Sequence, residues 1–196
     1  MIMHRSTPFM VEFSGTPEAG KSTAIATVNK LLEKHGYKTM ILKESAESLP
    51  REIPKGTFVS NLWMHLITQA GILRAQYTSA NIVLIDRGII DSKFYAWKFL
   101  NEKGCSIEQF DEFHRTCLKL IEPDLFLGFL VSPEISIKRR GGEGKLVTEK
   151  YVKSFNRLFM EFFVTIGVKK RLFQTDAVSI EELGKLLFNT ILEELP

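Results

Sequence analysis

Gly15-Thr16-Pro17-Glu18-Ala19-Gly20-Lys21-Ser22-Thr23 carries the strongest chemical signal in the chain. It fits G-x-x-x-x-G-K-[ST], a loop whose backbone N–H groups converge on phosphate oxygens. Glycine at 15 and 20 leaves room where a side chain would intrude. Lys21 is placed to reach the β- and γ-phosphates of a nucleotide, and the Ser22 hydroxyl to bind Mg²⁺. A helix opening near Lys21 adds its positive dipole end. The motif needs a strand before it and a helix after it. Phe9-Met10-Val11-Glu12-Phe13-Ser14 reads as the strand, and Thr23 to Lys34 sets Ile25, Val28, Leu31 and Leu32 at helical spacing.

Charged residues also follow the other runs that read as strands. Lys38 to Lys43 delivers Glu44, and Leu172-Phe173-Gln174-Thr175 delivers Asp176-Ala177. Ile82-Val83-Leu84-Ile85, unbroken in the manner of a central parallel strand, ends in Asp86-Arg87. Ligands of open parallel sheets bind beyond the carboxyl ends of the strands, so these residues and the loop outline a phosphoryl-transfer site. Transfer requires positioning and neutralisation of charge on the moving group. Asp86 is suited to hold Mg²⁺ beside Ser22, and Arg87 to bridge the donor and acceptor sides. Arg139, Arg140 and Lys145 straddle a glycine-rich stretch, about 139–148, that suits a lid over the phosphates. An exposed basic loop is the plainer alternative.

Glu44 has two readings. It could serve as the base for a nucleoside hydroxyl, or it could neighbour an anionic acceptor beside Lys43, Arg51 and Arg74. Phe58, Trp63, Phe94, Tyr95 and Trp97 could stack an acceptor base, although helical spacing favours packing for each. Phe155, Phe159, Phe162 and Phe163 read as core or a subunit interface. His65 and His114 lack partners at metal-ligand spacing.

The elements that must position these groups alternate. Further helices are expected over Leu62 to Tyr77, Asp91 to Leu100 and Ile107 to Ile121, then after Ser132-Pro133-Glu134, from Thr148 to about Ile166, and after the Ser179/Glu182 capping box. Leu125 to Val131 is another buried strand. Such alternation means an α/β fold with a parallel sheet covered on both faces, in a single domain spanning 1–196. A net charge of +3 gives no general case for nucleic-acid binding. Cys105 and Cys117, both in segments that read as helical, lack C-x-x-C spacing and read as buried thiols in a reducing compartment. Met1 to Pro8 has no apolar signal core, and no run approaches membrane-spanning length, so a cytoplasmic protein without membrane contact is expected.

The loop, the Asp86-Arg87 pair, the Pro123-Asp124 strand leading to Ser132-Pro133-Glu134, and the Arg139-Arg140-Gly141-Gly142-Glu143-Gly144-Lys145 stretch together resemble the thymidylate kinase and deoxynucleoside kinase branch of P-loop kinases. The resemblance runs from about Phe9 to Leu192. It implies a five-stranded sheet of order 2-3-1-4-5, ATP as phosphate donor, and a homodimer. It also implies that Thr175-Asp176-Ala177 and a lid arginine sandwich the adenine, and that the acceptor meets Glu44, Trp63, Arg74, Arg87 and Tyr95. Three features depart from the thymidylate kinase pattern: no arginine stands in the loop, Lys43-Glu44-Ser45 replaces Arg-Glu-Pro, and Gly88 stands where the family has tyrosine. The first of these passes the catalytic cation to Arg139 and Arg140. A P-loop kinase of a non-nucleotide acceptor and a nucleotide-binding regulatory module are the alternatives; the guanine-reading Asn-Lys-x-Asp motif is absent.

Overall fold

β1 (Phe9–Gly15) is buried along its whole length, and the sheet is built outward from it. A computed structural model describes residues 7–44, 48–118 and 122–196. β1 pairs in parallel with β3 (Ile82–Asp86) on one side and β4 (Leu125–Leu130) on the other. β2 (Thr39–Leu42) and β5 (Lys169–Gln174) complete the two edges, giving the order β2-β3-β1-β4-β5 that the resemblance implies. Every pairing is parallel, which fits the apolar runs of β3 and β4 and the polar composition of β5.

Side chains of a strand alternate between faces, and β1 uses both. Phe9, Val11 and Phe13 pack under α1 (Lys21–Lys34) and α7 (Ile180–Glu194), joining Val28, Leu32, Leu187 and Ile191. The opposite face is covered by α2 (Phe58–Ala75), α3 (Ile89–Asn101) and α6 (Glu149–Thr165). There Met10 packs with Ile72, and Phe126 with Phe94, Phe155 and Phe159. Glu12 shares this second face and is fully buried. α4 (Ile107–Thr116) and α5 (Pro133–Arg140) are shorter and carry serine N-caps, Ser106 and Ser132. No described helix is long and apolar enough to cross a membrane.

The structure shifts several expected boundaries. α2 begins at Phe58, one turn earlier than its apolar pattern suggests, because Thr57 and Ser60 form a reciprocal cap. Its phase differs too: Leu66 and Ile67 are exposed, while Asn61, His65, Thr68 and Gln69 turn inward. α3 begins at Ile89 rather than Asp91, and β5 extends back to Lys169. α4 ends at Thr116, and the remainder of the expected helix includes residues 119–121, outside the described residues. Residues 1–6, on which the reading of the N-terminus rests, and Ser45 are also outside them. Cys105 and Cys117 lie just beyond helix ends and are half-buried, not in helices and fully buried as their sequence context suggests.

A carboxyl in the middle of a sheet has a thermodynamic signature. Burial pushes the Glu12 carboxyl from its ordinary 4.5 up to about 8, against backbone N–H groups of Asp91 and Ile90 that favour its charge. The folded state therefore holds this proton over a range where the unfolded chain has lost it. Stability of the wild type relative to Glu12→Gln is expected to be greatest near pH 4.5 and to decline toward pH 8. The decline is at most about 1.4 kcal/mol per pH unit. Urea unfolding of both proteins between about pH 5 and about pH 9 measures it, and a flat difference contradicts the burial effect.

Candidate active site

Gly15 closes β1 with φ at +134°, and a Cβ there would stand 1.9 Å from the Phe129 carbonyl oxygen. Only glycine lets the chain pass so close to β4, where the Thr16 N–H donates to that carbonyl at 2.9 Å. The Thr16 hydroxyl donates to Asn156 Oδ1 at 2.6 Å, tying the loop to α6. Glu18 and Gly20 also take left-handed backbone, at φ 59° and 85°, and the loop then enters α1. The Lys21 ammonium folds over this turn and donates to the Gly15 and Thr16 carbonyls at 3.1 and 2.8 Å. Burial pushes Lys21 down to about 7, and Arg87 pushes the same way, while Asp91, Asp86 and Glu44 oppose the shift.

The residues leaving β3 meet the loop. The Ser22 hydroxyl donates to Asp86 Oδ2 at 2.8 Å. Asp86 Oδ1 is buried and, among the described residues, without a hydrogen-bond partner. Arg87, with left-handed backbone at φ 62°, sends its guanidinium among three groups. Its Nε lies 3.1 Å from Glu44 Oε1, and its Nη1 lies 3.4 Å from both Asp91 Oδ1 and the Tyr95 hydroxyl. The contact with Glu44 is an ion pair but not a hydrogen bond, since Nε remains without a hydrogen-bond partner among the described residues. Burial alone would lower the Arg87 pKa; Tyr95, Asp91, Glu44 and Asp86 more than reverse this and raise it above its ordinary value.

Two clefts share this junction. The larger, of about 590 Å³, runs from Gly20, Lys21 and Ser22 past Asp86 to Arg140. The smaller, of about 240 Å³, lies between Asn61, Met64 and Thr68 of α2, Asp91 and Ser92 of α3, and Tyr151. Glu44, Arg87, Tyr95 and Tyr151 line both.

Not every expected residue joins them. Trp63 and Arg74 are on α2 but line neither cleft, and Arg74 is exposed in the last turn. The phase of α2 explains this, because Asn61, Met64 and Thr68 occupy its cleft-facing side. Arg139 and Arg140 diverge. Arg139 donates to the Thr175 carbonyl at 2.6 Å and to the Glu18 carbonyl at 3.3 Å, whereas Arg140 lines the larger cleft with its guanidinium 3.6 Å from the Glu18 carboxylate. Asp176 accepts from the Ser132 N–H at 2.9 Å and so fixes the turn into α5. Asp91, Tyr151 and Asn156 were not singled out in the sequence. Asp91 had a usable signal, an acidic residue four positions after Arg87 on one helical face. Asn156 had none.

A glycine loop that leaves the central strand of a 2-3-1-4-5 parallel sheet, with Asp-Arg at the end of its neighbour, defines the P-loop architecture of nucleoside and nucleotide kinases. Known proteins agree with this. The chain is 27% identical over 157 residues to the thymidylate kinase of Caldicellulosiruptor saccharolyticus, covering 72% of this chain and 75% of that one. It is 23% identical to the thymidylate kinase of Legionella pneumophila strain Paris, covering 98% and 97%. In structure it is similar to deoxyadenosine kinase from M. mycoides with the products dCMP and a flexible dCDP bound (TM-score 0.71, 20% identity, 94% of this chain and 100% of that one). The same kinase with bound dATP superposes with a TM-score of 0.69 at 18% identity, over 94% of this chain and 99% of that one. No protein-family model matches the chain. In sequence the chain is similar to thymidylate kinases, and in fold to deoxyadenosine kinase.

The loop geometry has a direct test. Gly15→Ala sets a methyl group against the Phe129 carbonyl in a backbone conformation that alanine resists. Its unfolding free energy in urea is expected to fall by about 3 kcal/mol or more, with loss of nucleotide binding. Wild-type stability in Gly15→Ala contradicts the close approach.

Proposed function

We propose that this protein moves the γ-phosphoryl group of ATP onto a nucleoside monophosphate, as the names of its thymidylate kinase relatives suggest. The observation that carries the kinase reading is the junction of the two clefts. Lys21 and Ser22 stand on the donor side, Asn61 and Thr68 on the acceptor side, and Arg87 between them. A loose transition state spreads charge over the oxygens of the transferring group, and cations held in a dry site neutralise it with little reorganisation.

Lys21 leaves its loop carbonyls for the phosphates, whose charge restores its proton. The Arg87 guanidinium, lining both clefts, supplies the second cation. Arg140, beside Glu18 at the mouth of the larger cleft, supplies the third cation; Arg139 holds the Thr175-Asp176-Ala177 loop against the adenine. The residues fit Mg²⁺: the Ser22 hydroxyl and the Asp86 carboxylate, with its buried, unpartnered Oδ1, are oxygen donors of the type this ion prefers. Bound there, Mg²⁺ supplies neutralisation of the β- and γ-phosphate charge. A cytoplasmic location, a homodimer and a lid over about 139–148 are parts of the same reading.

One observation favours a second acceptor. Arg87 is faced by both Glu44 and Asp91, at 3.1 and 3.4 Å, so much of its charge is already balanced. A neutral nucleoside hydroxyl suits that balance, with Glu44 as its base. ADP production from Mg-ATP across monophosphates and nucleosides separates the two. A response to monophosphates makes Glu44 a binding residue, and a response to nucleosides alone makes it the base. Lys21→Ala is expected to lower turnover at least a thousandfold, on the order of what loss of a transition-state cation removes, while the fold is kept. An active Lys21→Ala protein refutes the mechanism.

The two arginines should separate in kinetics. Arg139→Ala is expected to raise KM for ATP with kcat nearly kept, whereas Arg140→Ala lowers kcat by roughly a hundredfold with KM nearly kept. Steady-state kinetics in ATP checks both, and equal effects of the two variants contradict the division.

A further inference from the structure

The first turn of α3 is capped by another element. Its N-cap residue is Gly88, which has no side chain to accept from the exposed N–H groups of the turn. The acceptor comes from β1 instead. Glu12 Oε1 accepts from the Asp91 N–H at 2.7 Å, and Oε2 from the Ile90 N–H at 3.1 Å. The two accepting oxygens of one carboxyl group thus satisfy N–H groups that the first turn would otherwise leave open.

Gly88 and Glu12 depend on each other. A Cβ on residue 88 would stand 2.4 Å from Glu12 Oε2 and 2.5 Å from its Cδ. Gly88 has φ −105°, outside the left-handed region, so the Glu12 side chain and not the backbone angle excludes a side chain here.

What this cap holds is the junction. Arg87 takes left-handed backbone and donates its N–H to the Phe13 carbonyl at 3.0 Å, one residue along β1 from Glu12. Asp91, whose N–H Glu12 receives, accepts through its carboxylate from the Ser14 hydroxyl and from Arg87. Phe13, Glu12 and Ser14 thus grip the turn from Arg87 to Asp91 at successive points.

We propose that Glu12 is a positioning residue for the acceptor half of the site, holding Arg87 and Asp91 in register through the gap left by Gly88 without touching either substrate. The proposal rests on the kinase reading above for its catalytic consequence. For its structural part it rests only on the contacts of Glu12.

The test is a double-variant cycle of Glu12→Ala, Gly88→Ala and the pair, with Glu12→Gln as the near-isosteric form that keeps one accepting oxygen. Stoichiometry and affinity for Mg-ATP, KM and kcat for the acceptor, and unfolding midpoints are measured on each. Glu12→Ala is expected to lower kcat/KM for the acceptor at least tenfold while Mg-ATP binds with unchanged stoichiometry and nearly unchanged affinity. Glu12→Gln should fall between it and wild type. Gly88→Ala should be harmful alone and nearly neutral beside Glu12→Ala, because the alanine then has room. A merely structural role would lower the fraction of protein that binds Mg-ATP and leave the acceptor constants of the remainder unchanged, which overturns the proposal; so do additive effects in the cycle. Should Glu12→Ala fail to fold, Glu12→Gln decides on the same acceptor constants. If wild type shows no acceptor-dependent turnover, the kinase reading has failed and the cycle of unfolding midpoints still decides whether Glu12 and Gly88 are coupled.

Discussion

Lys21, Glu44, Asp86, Arg87 and Asp91 stand together at the carboxyl end of the sheet, and their mutual compensation is the constraint on which the rest depends. Lys21, Asp86 and Asp91 are almost fully buried. Such groups are tolerated only where opposite charge or hydrogen bonds replace water. Arg87 sits between Glu44 and Asp91, Lys21 rests on carbonyls of its own loop, and Ser22 occupies one oxygen of Asp86. Each of these groups comes from the end of a strand or the first turns of the following helix. The parallel sheet gathers them in one place, since all its strands end on the same side.

The scaffold tolerates this polarity because it is divided. Phe9, Val11 and Phe13 tie β1 to the dry packing under α1 and α7. The alternate residues Met10, Glu12 and Ser14 look to the face that carries the functional helices. One strand therefore anchors the fold with one set of side chains and orders the site with the other. α2 extends the same logic, since its inward Asn61 donates to the Ser92 carbonyl of α3 at 3.1 Å and helps set the floor of the smaller cleft.

The sheet order and the loop were legible because both are set by local pattern. Apolar runs, glycine spacing and the alternation of strand and helix need no distant partner to be recognised. Asp86 and Arg87 were legible for the same reason, as the first polar residues after a buried run. The phase of α2 was not. Leu66 and Ile67 form an apolar stripe in the sequence, yet the side that packs bears Asn61, His65 and Gln69: Asn61 donates to the Ser92 carbonyl, Gln69 accepts from the Leu118 N–H, and His65 and Gln69 bond each other. Gly88 looked like a lost tyrosine. Its cause lies 76 positions away in β1, at Glu12, and no local rule carries that distance. The divergence of Arg139 and Arg140 was hidden because neighbours on a helix point about 100° apart, which only the docking of α5 on the loop resolves.

β5 shows what the edge of such a sheet demands. Among the described residues its outer side has no neighbouring strand, and an exposed row of backbone groups invites another chain to pair. The strand is short and begins Lys169-Lys170-Arg171. Lys170 bends back to donate to the Phe163, Val164 and Ile166 carbonyls at the end of α6, at 2.7 to 3.0 Å, while Lys169 and Arg171 share Glu194 of α7. Each cation is thereby tethered to its own molecule, and a foreign strand approaching this edge meets positive charge where it would need an apolar face. At this edge the sheet carries its own guard against pairing with a foreign strand.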